Sequence, residues 1–376
     1  MSNHPAGAKP RDSTPDSGCR LVLLGTQSGP IPGKRAGIAS ALVVDGAVYL
    51  VDAGSGLPRQ FFDAGLEFSC VRAMFITHLH SDHVADYFNF FSLNWTNWDF
   101  ERQTVEVYGP GRANITGPDH SPTPGLPTTL EAPVVAPELP TPGITDLTRL
   151  SIAAHAYDLN QRLRSTRRAG DRALEFTGLH GRPMLRPHDI QVPDHASIDR
   201  PCPPMAPLAV YHDDKVTVTA TLVQHPPVFP AFAFRFDTAY GSVVFSGDTA
   251  PCANLFKFAE GTDILVNEVL AVEPAIARFA GTPLYESMAR QFTSAHTPHR
   301  TRQAGGDEVG VPGVGAVAQR VGAKALVLTH IYPGDGSVSD EEFHAGAAEE
   351  FTGSVVVGRD LMQLDLRHLA NPHSAR

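Results

Sequence analysis

Short apolar runs, each stopped by polar or turn-forming residues, recur along most of the chain, and their spacing lays out its elements. Leu21 to Leu24, Ala41 to Val44, Val48 to Val51 and Val71 to Ile76 have strand length and are rich in Val, Leu and Ile. Asp45-Gly46, between the second and third runs, is a hairpin-turn signature. Leu57 to Ala64 and Val84 to Asn94 are expected as helices, and Thr104 to Tyr108 as a further strand. Eight prolines from Pro118 to Pro142 then exclude a continuous helix or a central strand. Asp146 to Arg164 is expected as one helix with Leu147, Leu150, Ala154 and Tyr157 on its apolar face. The following arginines, Arg162, Arg164, Arg167, Arg168 and Arg172, read as a solvated helix end. Proline is again dense from Pro183 to Pro207, so roughly 112–210 reads as a Pro-rich, partly helical insertion capping the core. Core-like pattern returns with the alternating Val216 to Leu222. It continues through Ala231 to Phe236, Ser242 to Phe245, Ile264 to Val266, Ala325 to Leu328, Ser354 to Val357 and Leu361 to Leu364.

These runs share a way of ending. A strand covered on both faces must be apolar inside, but its end can carry polar groups at little cost. Here the ends carry Asp52, His78 to His83, His225, Asp248, Glu268 and His330. Any one of these alone is more simply a turn or capping residue. Several on one sheet edge would build a multi-ligand site on rigid elements. The densest stretch, Thr77-His78-Leu79-His80-Ser81-Asp82-His83, places four potential ligands as H-x-H-x-D-H directly after a buried strand. Imidazole and carboxylate together suit zinc or a similar borderline divalent ion.

Composition narrows the classes. The chain has 376 residues, is 42% hydrophobic and carries a formal net charge of −10, so it is globular and poorly suited to gripping a polyanion non-specifically. Cys19, Cys70, Cys202 and Cys252 form no C-x-x-C pair and suggest no disulfide framework. Residues 1–19 are polar and rich in Pro, Ser and Gly, and read as a disordered tail before a domain spanning 20–376. No apolar run reaches membrane-spanning length, and the expectation is a cytoplasmic protein with no membrane partner.

Several segments together resemble the metallo-β-lactamase superfamily, in the branch holding ribonuclease Z and related phosphodiesterases and arylsulfatases. They are Leu24-Gly25-Thr26, Val51-Asp52-Ala53-Gly54, Thr77 to His83, Gln224-His225-Pro226, Phe245 to Thr249, Val266-Asn267-Glu268, Ser294-Ala295-His296-Thr297 and Leu328-Thr329-His330. The resemblance implies an α/β fold, a four-layer αββα sandwich, with a two-metal centre at one edge. It implies that His78, His80 and His225 hold one ion, that Asp82, His83 and His330 hold a second, and that Asp248 bridges them. Asp52 would orient a ligand. The ions would be Zn2+, with Mn2+ or Fe2+ as alternatives, and would share a hydroxide for attack on an ester. His296 is the implied acid or anion contact, with Glu268 orienting it and Asp82 counted with the catalytic groups. Asn267 stands where the ribonuclease branch often has histidine.

The substrate is read from the surroundings. His225 and Asp248 lie 23 residues apart, too few for the tRNA-gripping arm that ribonuclease Z enzymes generally carry between these motifs. A small anionic or aromatic ester, an aryl phosphodiester or sulfate ester, is therefore expected. Trp95 and Trp98, beside a Phe-rich stretch, are candidates to wall its pocket. Ribonuclease Z-like RNA cleavage, lactone hydrolysis and hydrolytic dehalogenation of an aromatic ring are the alternatives. A homodimer is possible, and a non-catalytic metal-binding scaffold is the reading from another class.

Overall fold

The structure is a computed structural model that describes residues 17–29, 33–98, 103–113, 135–136, 138–166, 183–303 and 310–370. The first part of the chain forms β1 (Cys19–Gly25), β2 (Ala39–Val44), β3 (Ala47–Val51), α1 (Leu57–Asp63), β4 (Val71–Phe75), α2 (Ser81–Val84), α3 (Tyr87–Leu93) and β5 (Val105–Pro110). There follow α4 (Ile144–Ala154), α5 (Ala156–Thr166), β6 (Leu185–Ile190), β7 (Leu208–His212), β8 (Val216–Leu222), β9 (Phe232–Thr238), β10 (Gly241–Phe245) and α6 (Ala253–Phe258). The last part is β11 (Ile264–Leu270), α7 (Val272–Ala277), α8 (Tyr285–Ser294), α9 (Val314–Val321), β12 (Ala325–Tyr332), α10 (Asp340–Ala348), β13 (Ser354–Val357), β14 (Met362–Asp365) and α11 (Leu366–Ala370).

Among the described residues the strands make two seven-stranded sheets, ordered β14-β1-β2-β3-β4-β5-β6 and β13-β12-β11-β10-β9-β8-β7. Pleating sends successive side chains to opposite faces, and both faces are covered. Leu21 and Leu23 of β1 point between the sheets, where they join Leu42, Tyr49, Phe75, Val218, Phe234, Phe236, Val266 and Val327. Val22 and Leu24 point the other way, into a core with Phe61 of α1 and Phe90 and Phe91 of α3. On the far side of the second sheet, Val244, Leu265 and Leu326 meet Val317 of α9 and Phe343 of α10. The layers run α, β, β, α, as expected. Asp45 (φ 47°) and Gly46 (φ 82°) both adopt the left-handed backbone of a two-residue hairpin turn joining β2 to β3.

Three local expectations change. The helix expected from Val84 to Asn94 is two, α2 and α3, because the Asp86 N–H bonds Ala53 O at 2.9 Å and its carboxylate takes the Gly56 N–H at 2.6 Å. Those bonds tie the chain to the end of β3 rather than continuing one helix. The helix expected from Asp146 to Arg164 breaks at His155, whose Nδ1 bonds Ser151 O at 2.8 Å and whose ring meets Phe88. Its apolar face also differs: Leu150 and Tyr157 are 43% and 84% exposed, while Ile144, Thr148 and Leu159 are buried. The pair docks by its first turn, with Thr148 Oγ1 in a hydrogen bond to Tyr87 OH at 2.7 Å. Finally, β6 falls inside the 112–210 span and β7 begins within it, and each supplies an edge strand to one sheet. Pro187 is accommodated because an edge strand need not donate on its open side. Residues 1–16, most of the expected tail, lie outside the described residues, as do 114–134, Arg167, Arg168 and Arg172.

Candidate metal centre

The site lies where strands of both sheets end. After β4 the chain turns at Thr77, and Ala53 N–H donates to His83 O at 2.8 Å, so the end of β3 holds the H-x-H-x-D-H loop. A Cβ on Gly54 would lie 2.5 Å from Asp82 O, so only glycine permits that approach. Gly247, at φ 59° and with a Cβ position 2.6 Å from Phe232 O, does the same for the turn that carries Asp248. His330 is placed differently. Glu268 pairs with Thr329 and Val269 with Ile331, which leaves His330 as the extra residue of a bulge, at φ 45°. A bulge re-aims a side chain, and here it turns an imidazole of a central strand into the site.

Seven side chains converge in two groups. His78, His80, His225 and Asp248 offer ligand atoms within 4.8 Å of one another, and so do Asp82, His83 and His330. In the first, His80 Nδ1 lies 3.0 Å from His78 Nε2 and 3.4 Å from His225 Nε2, and both Nε2 atoms lie 3.9 Å from Asp248 Oδ2. In the second, His330 Nε2 lies 3.2 Å from His83 Nε2 and 3.3 Å from Asp82 Oδ2. Asp248 Oδ1 faces this second group, 3.3 Å from His83 Nε2. One carboxylate thus presents an oxygen to each group.

The hydrogen-bond network assigns the tautomers. His83 Nδ1–H donates to Asp52 Oδ2 at 2.9 Å, and His225 Nδ1–H to Ala295 O at 3.0 Å, which leaves both Nε2 lone pairs facing inward. Asp52 also accepts from Thr77 N at 2.8 Å, from a backbone at φ 61°. Burial keeps His78 neutral, well below its usual range, and brings His225 down to about 4. At His83 burial is outweighed by Asp248, Asp52 and Asp82, and the imidazole goes well above its usual range. These carboxylates demand nearby positive charge. Asp248 Oδ1 and His330 Nδ1 are buried without a hydrogen-bond partner. Converging lone pairs, orphaned buried acceptors and clustered carboxylates fit a pair of divalent cations.

Beside the ligand groups sits a buried dyad. Glu268 Oε2 accepts from His296 Nδ1 at 2.7 Å, and Oε1 accepts from Thr249 N at 2.6 Å and Thr297 N at 3.2 Å. Burial lowers His296, but the Glu268 carboxylate outweighs it and leaves the imidazole above its usual range. His296 opens onto a cleft of about 370 Å³ together with His80, Asp82, Asp248 and His330. Its other wall is Leu270, Phe279, Met288, Phe292 and Tyr332, with Gln291.

The expected aromatic wall is thus corrected. Trp98 is buried in the core behind the first sheet, its Nε1–H donating to Gln103 O at 2.8 Å, and Trp95 packs on the same cluster under Arg162. Phe88, Phe90 and Phe91 are core residues as well. The cleft aromatics come instead from the turn after α7, from α8 and from the end of β12. Their only sequence signal was the amphipathic Tyr285 to Ser294 leading into Ala295-His296.

Comparisons with known proteins place these features. A family described as "Anti-Pycsar protein Apyc1" matches residues 20–92. Ribonuclease Z of Mycobacterium bovis (strain BCG / Pasteur 1173P2) is 26% identical over 348 residues, covering 92% of this chain and 98% of that protein. The Ribonuclease Z of Mycobacterium avium (strain 104) is 28% identical with the same coverage. Among solved structures, the metallo-β-lactamase fold protein YhfI from Bacillus subtilis superposes with a TM-score of 0.53 at 16% identity, over 92% of this chain and 98% of that one.

Proposed function

We propose that this chain, a metal-dependent hydrolase of the metallo-β-lactamase superfamily in its ribonuclease Z-like branch, cleaves small phosphodiesters that carry an aromatic substituent. The observation that carries the reading is the apolar, aromatic cleft that opens directly onto His80, Asp82, Asp248, His296 and His330. Among its described lining residues none is lysine or arginine, so it offers apolar area beside the ligand groups rather than a track for successive phosphates.

His78, His80 and His225 would hold one divalent ion, Asp82, His83 and His330 the other, and Asp248 both. Zinc is the ion proposed, because the donors are mainly imidazole with carboxylate. Bound ions supply Lewis acidity toward the phosphoryl oxygens and lower the pKa of water. The chain's own groups do the rest. Asp52 and Ala295 O fix the His83 and His225 tautomers. Asp82 Oδ2 accepts from Gly29 N at 2.8 Å and so holds the cleft rim to the ligand loop. Glu268 keeps a proton on His296 Nδ1, which leaves Nε2 to deliver its own proton to the departing oxygen. Phe279, Phe292 and Tyr332 exclude water around an aromatic group.

Cleavage of RNA is the second reading, favoured by relatives named Ribonuclease Z that align over nearly their whole length. Against it, His225 and Asp248 are joined by the β9–β10 hairpin, with no arm between them. The test is a panel of bis(p-nitrophenyl) phosphate, p-nitrophenyl sulfate, an aromatic lactone and a precursor tRNA, each with zinc or manganese. The diester should turn over fastest. Precise cleavage of the precursor tRNA at higher kcat/KM would replace this reading with the second.

A further inference from the structure

His296 and the aromatic wall are built on one short piece of backbone. The last turn of α8 carries Phe292, and the chain leaving it carries Ala295 and His296. Ala295 N–H closes that turn on Gln291 O at 3.0 Å, and Ala295 O takes the His225 Nδ1–H at 3.0 Å. Leu270 N–H bonds Thr297 O at 3.0 Å, so the segment is fastened to β11 just past His296. The His296 ring stands between two neighbourhoods. Toward the ligand groups, its centroid is 5.0 Å from that of His225 and 6.4 Å from that of His330, and a ring nitrogen lies within 4.8 Å of an Asp248 oxygen. Toward the wall, it is 6.2 Å from Phe292, whose ring meets Phe279 at 5.9 Å and Tyr332 at 5.3 Å. Met288, one turn earlier on α8, packs on the same cluster. Ser28, Gly29 and Ser81, elsewhere on the cleft, offer no apolar side chain.

We infer that the aromatic arm of the diester is the arm that departs, and that Phe279, Met288 and Phe292 decide which ester bond breaks. This regiochemistry rests on the phosphodiester reading of the same site. A ring laid on Phe279 and Phe292 brings its ester oxygen to His296, because the wall and the acid share one span of chain and cannot move apart. The other arm is left to the small polar residues and has no comparable apolar contact. Displacement at phosphorus is in line, so the entering and leaving oxygens lie on opposite sides. Entry from the ligand groups therefore sends the leaving oxygen outward, into the cleft that His296 and Phe292 line.

The step balances with water as the only co-reactant. A water oxygen bonds to phosphorus, the bond from phosphorus to the oxygen of the aromatic arm breaks, and that oxygen takes the Nε2 proton of His296. A proton from the water restores His296. One diester and one water give an aromatic alcohol and the monoester of the other arm.

Benzyl methyl phosphate tests the assignment, because its two alcohols are of nearly equal acidity and intrinsic reactivity favours neither arm. The full chain with zinc or manganese is given this diester in isotopically labelled water, and phosphorus NMR with mass spectrometry identifies the monoester. Labelled methyl phosphate, with benzyl alcohol, should exceed benzyl phosphate, with methanol, by about tenfold or more. An even mixture, an excess of benzyl phosphate, or label in the benzyl alcohol overturns the assignment. Phe279 and Met288 are half-buried, and Phe279→Ala and Met288→Ala should each lower the product ratio by about fivefold or more. The ratio is read within one substrate, so a variant that folds poorly loses both products alike and leaves it unmoved. A ratio unchanged in both variants removes the wall from the choice of bond. Turnover of bis(p-nitrophenyl) phosphate without turnover of benzyl methyl phosphate overturns the assignment alone. Turnover of neither overturns the phosphodiester reading, and the assignment with it.

Discussion

Asp52 Oδ2 accepts from His83 Nδ1 at 2.9 Å, and Asp52 does so from a left-handed backbone at φ 61°. The strained residue is the one that orients His83, a proposed metal ligand. Asparagine tolerates the same backbone while losing the charge. Asp52→Asn should therefore keep the fold and weaken metal binding by about 10- to 100-fold. Competition with a chelator of known affinity measures this, and unchanged affinity would remove Asp52 from that role.

In the proposed reaction His296 protonates the leaving group. His296→Ala should lower kcat by about 10²- to 10⁴-fold on diesters with poor leaving groups, and far less on p-nitrophenyl esters, whose leaving group departs without help. An equal loss on both would assign His296 to binding rather than to proton transfer.

Phe75 is fully buried between the sheets and its ring meets Tyr108, Tyr211, Phe234 and Phe236. Phe75→Ala should cost about 3–5 kcal/mol. Urea unfolding at saturating metal measures it. A loss below about 1 kcal/mol would mean the inter-sheet core repacks freely.

Asp213 pins β4 to the second sheet. It accepts from Tyr49 OH at 2.7 Å, Tyr211 OH at 2.9 Å and Arg72 at 2.9 Å. Burial alone would raise its carboxyl, but hydrogen bonds from Tyr49, Arg72 and the Lys215 and Val216 amides outweigh it and bring it from the ordinary 3.8 to about 2. The folded value lies below the unfolded one, so this stabilisation is complete above about pH 4 and is lost as pH falls through about 2. With allowance for its partial exposure it amounts to roughly 1–2 kcal/mol. The stability difference between the parent chain and Asp213→Asn should shrink by that amount between pH 5 and 2 (roughly) in urea titrations. A constant difference would sever Asp213 from the acid response.

The strands and the grouping of His78, His80, His83, His225, Asp248 and His330 were legible because local rules govern them. A strand covered on both faces must be apolar, so a polar residue ending it stands out, and a glycine before Asp248 marks the tight turn that presents it. That single chain determined which groups could meet. Tertiary structure decided the rest. Trp95 and Trp98 are near the ligand loop in sequence, yet the break at Asp86 sends them into the core behind the first sheet. Phe279, Phe292 and Tyr332 are distant in sequence but share the cleft, because β11 and β12 run side by side and α7 and α8 fold over their ends. The bulge at His330 and the edge strands β6 and β7 arise in the same way. Each depends on which strand lies beside which and in what register, and no local periodicity encodes a partner.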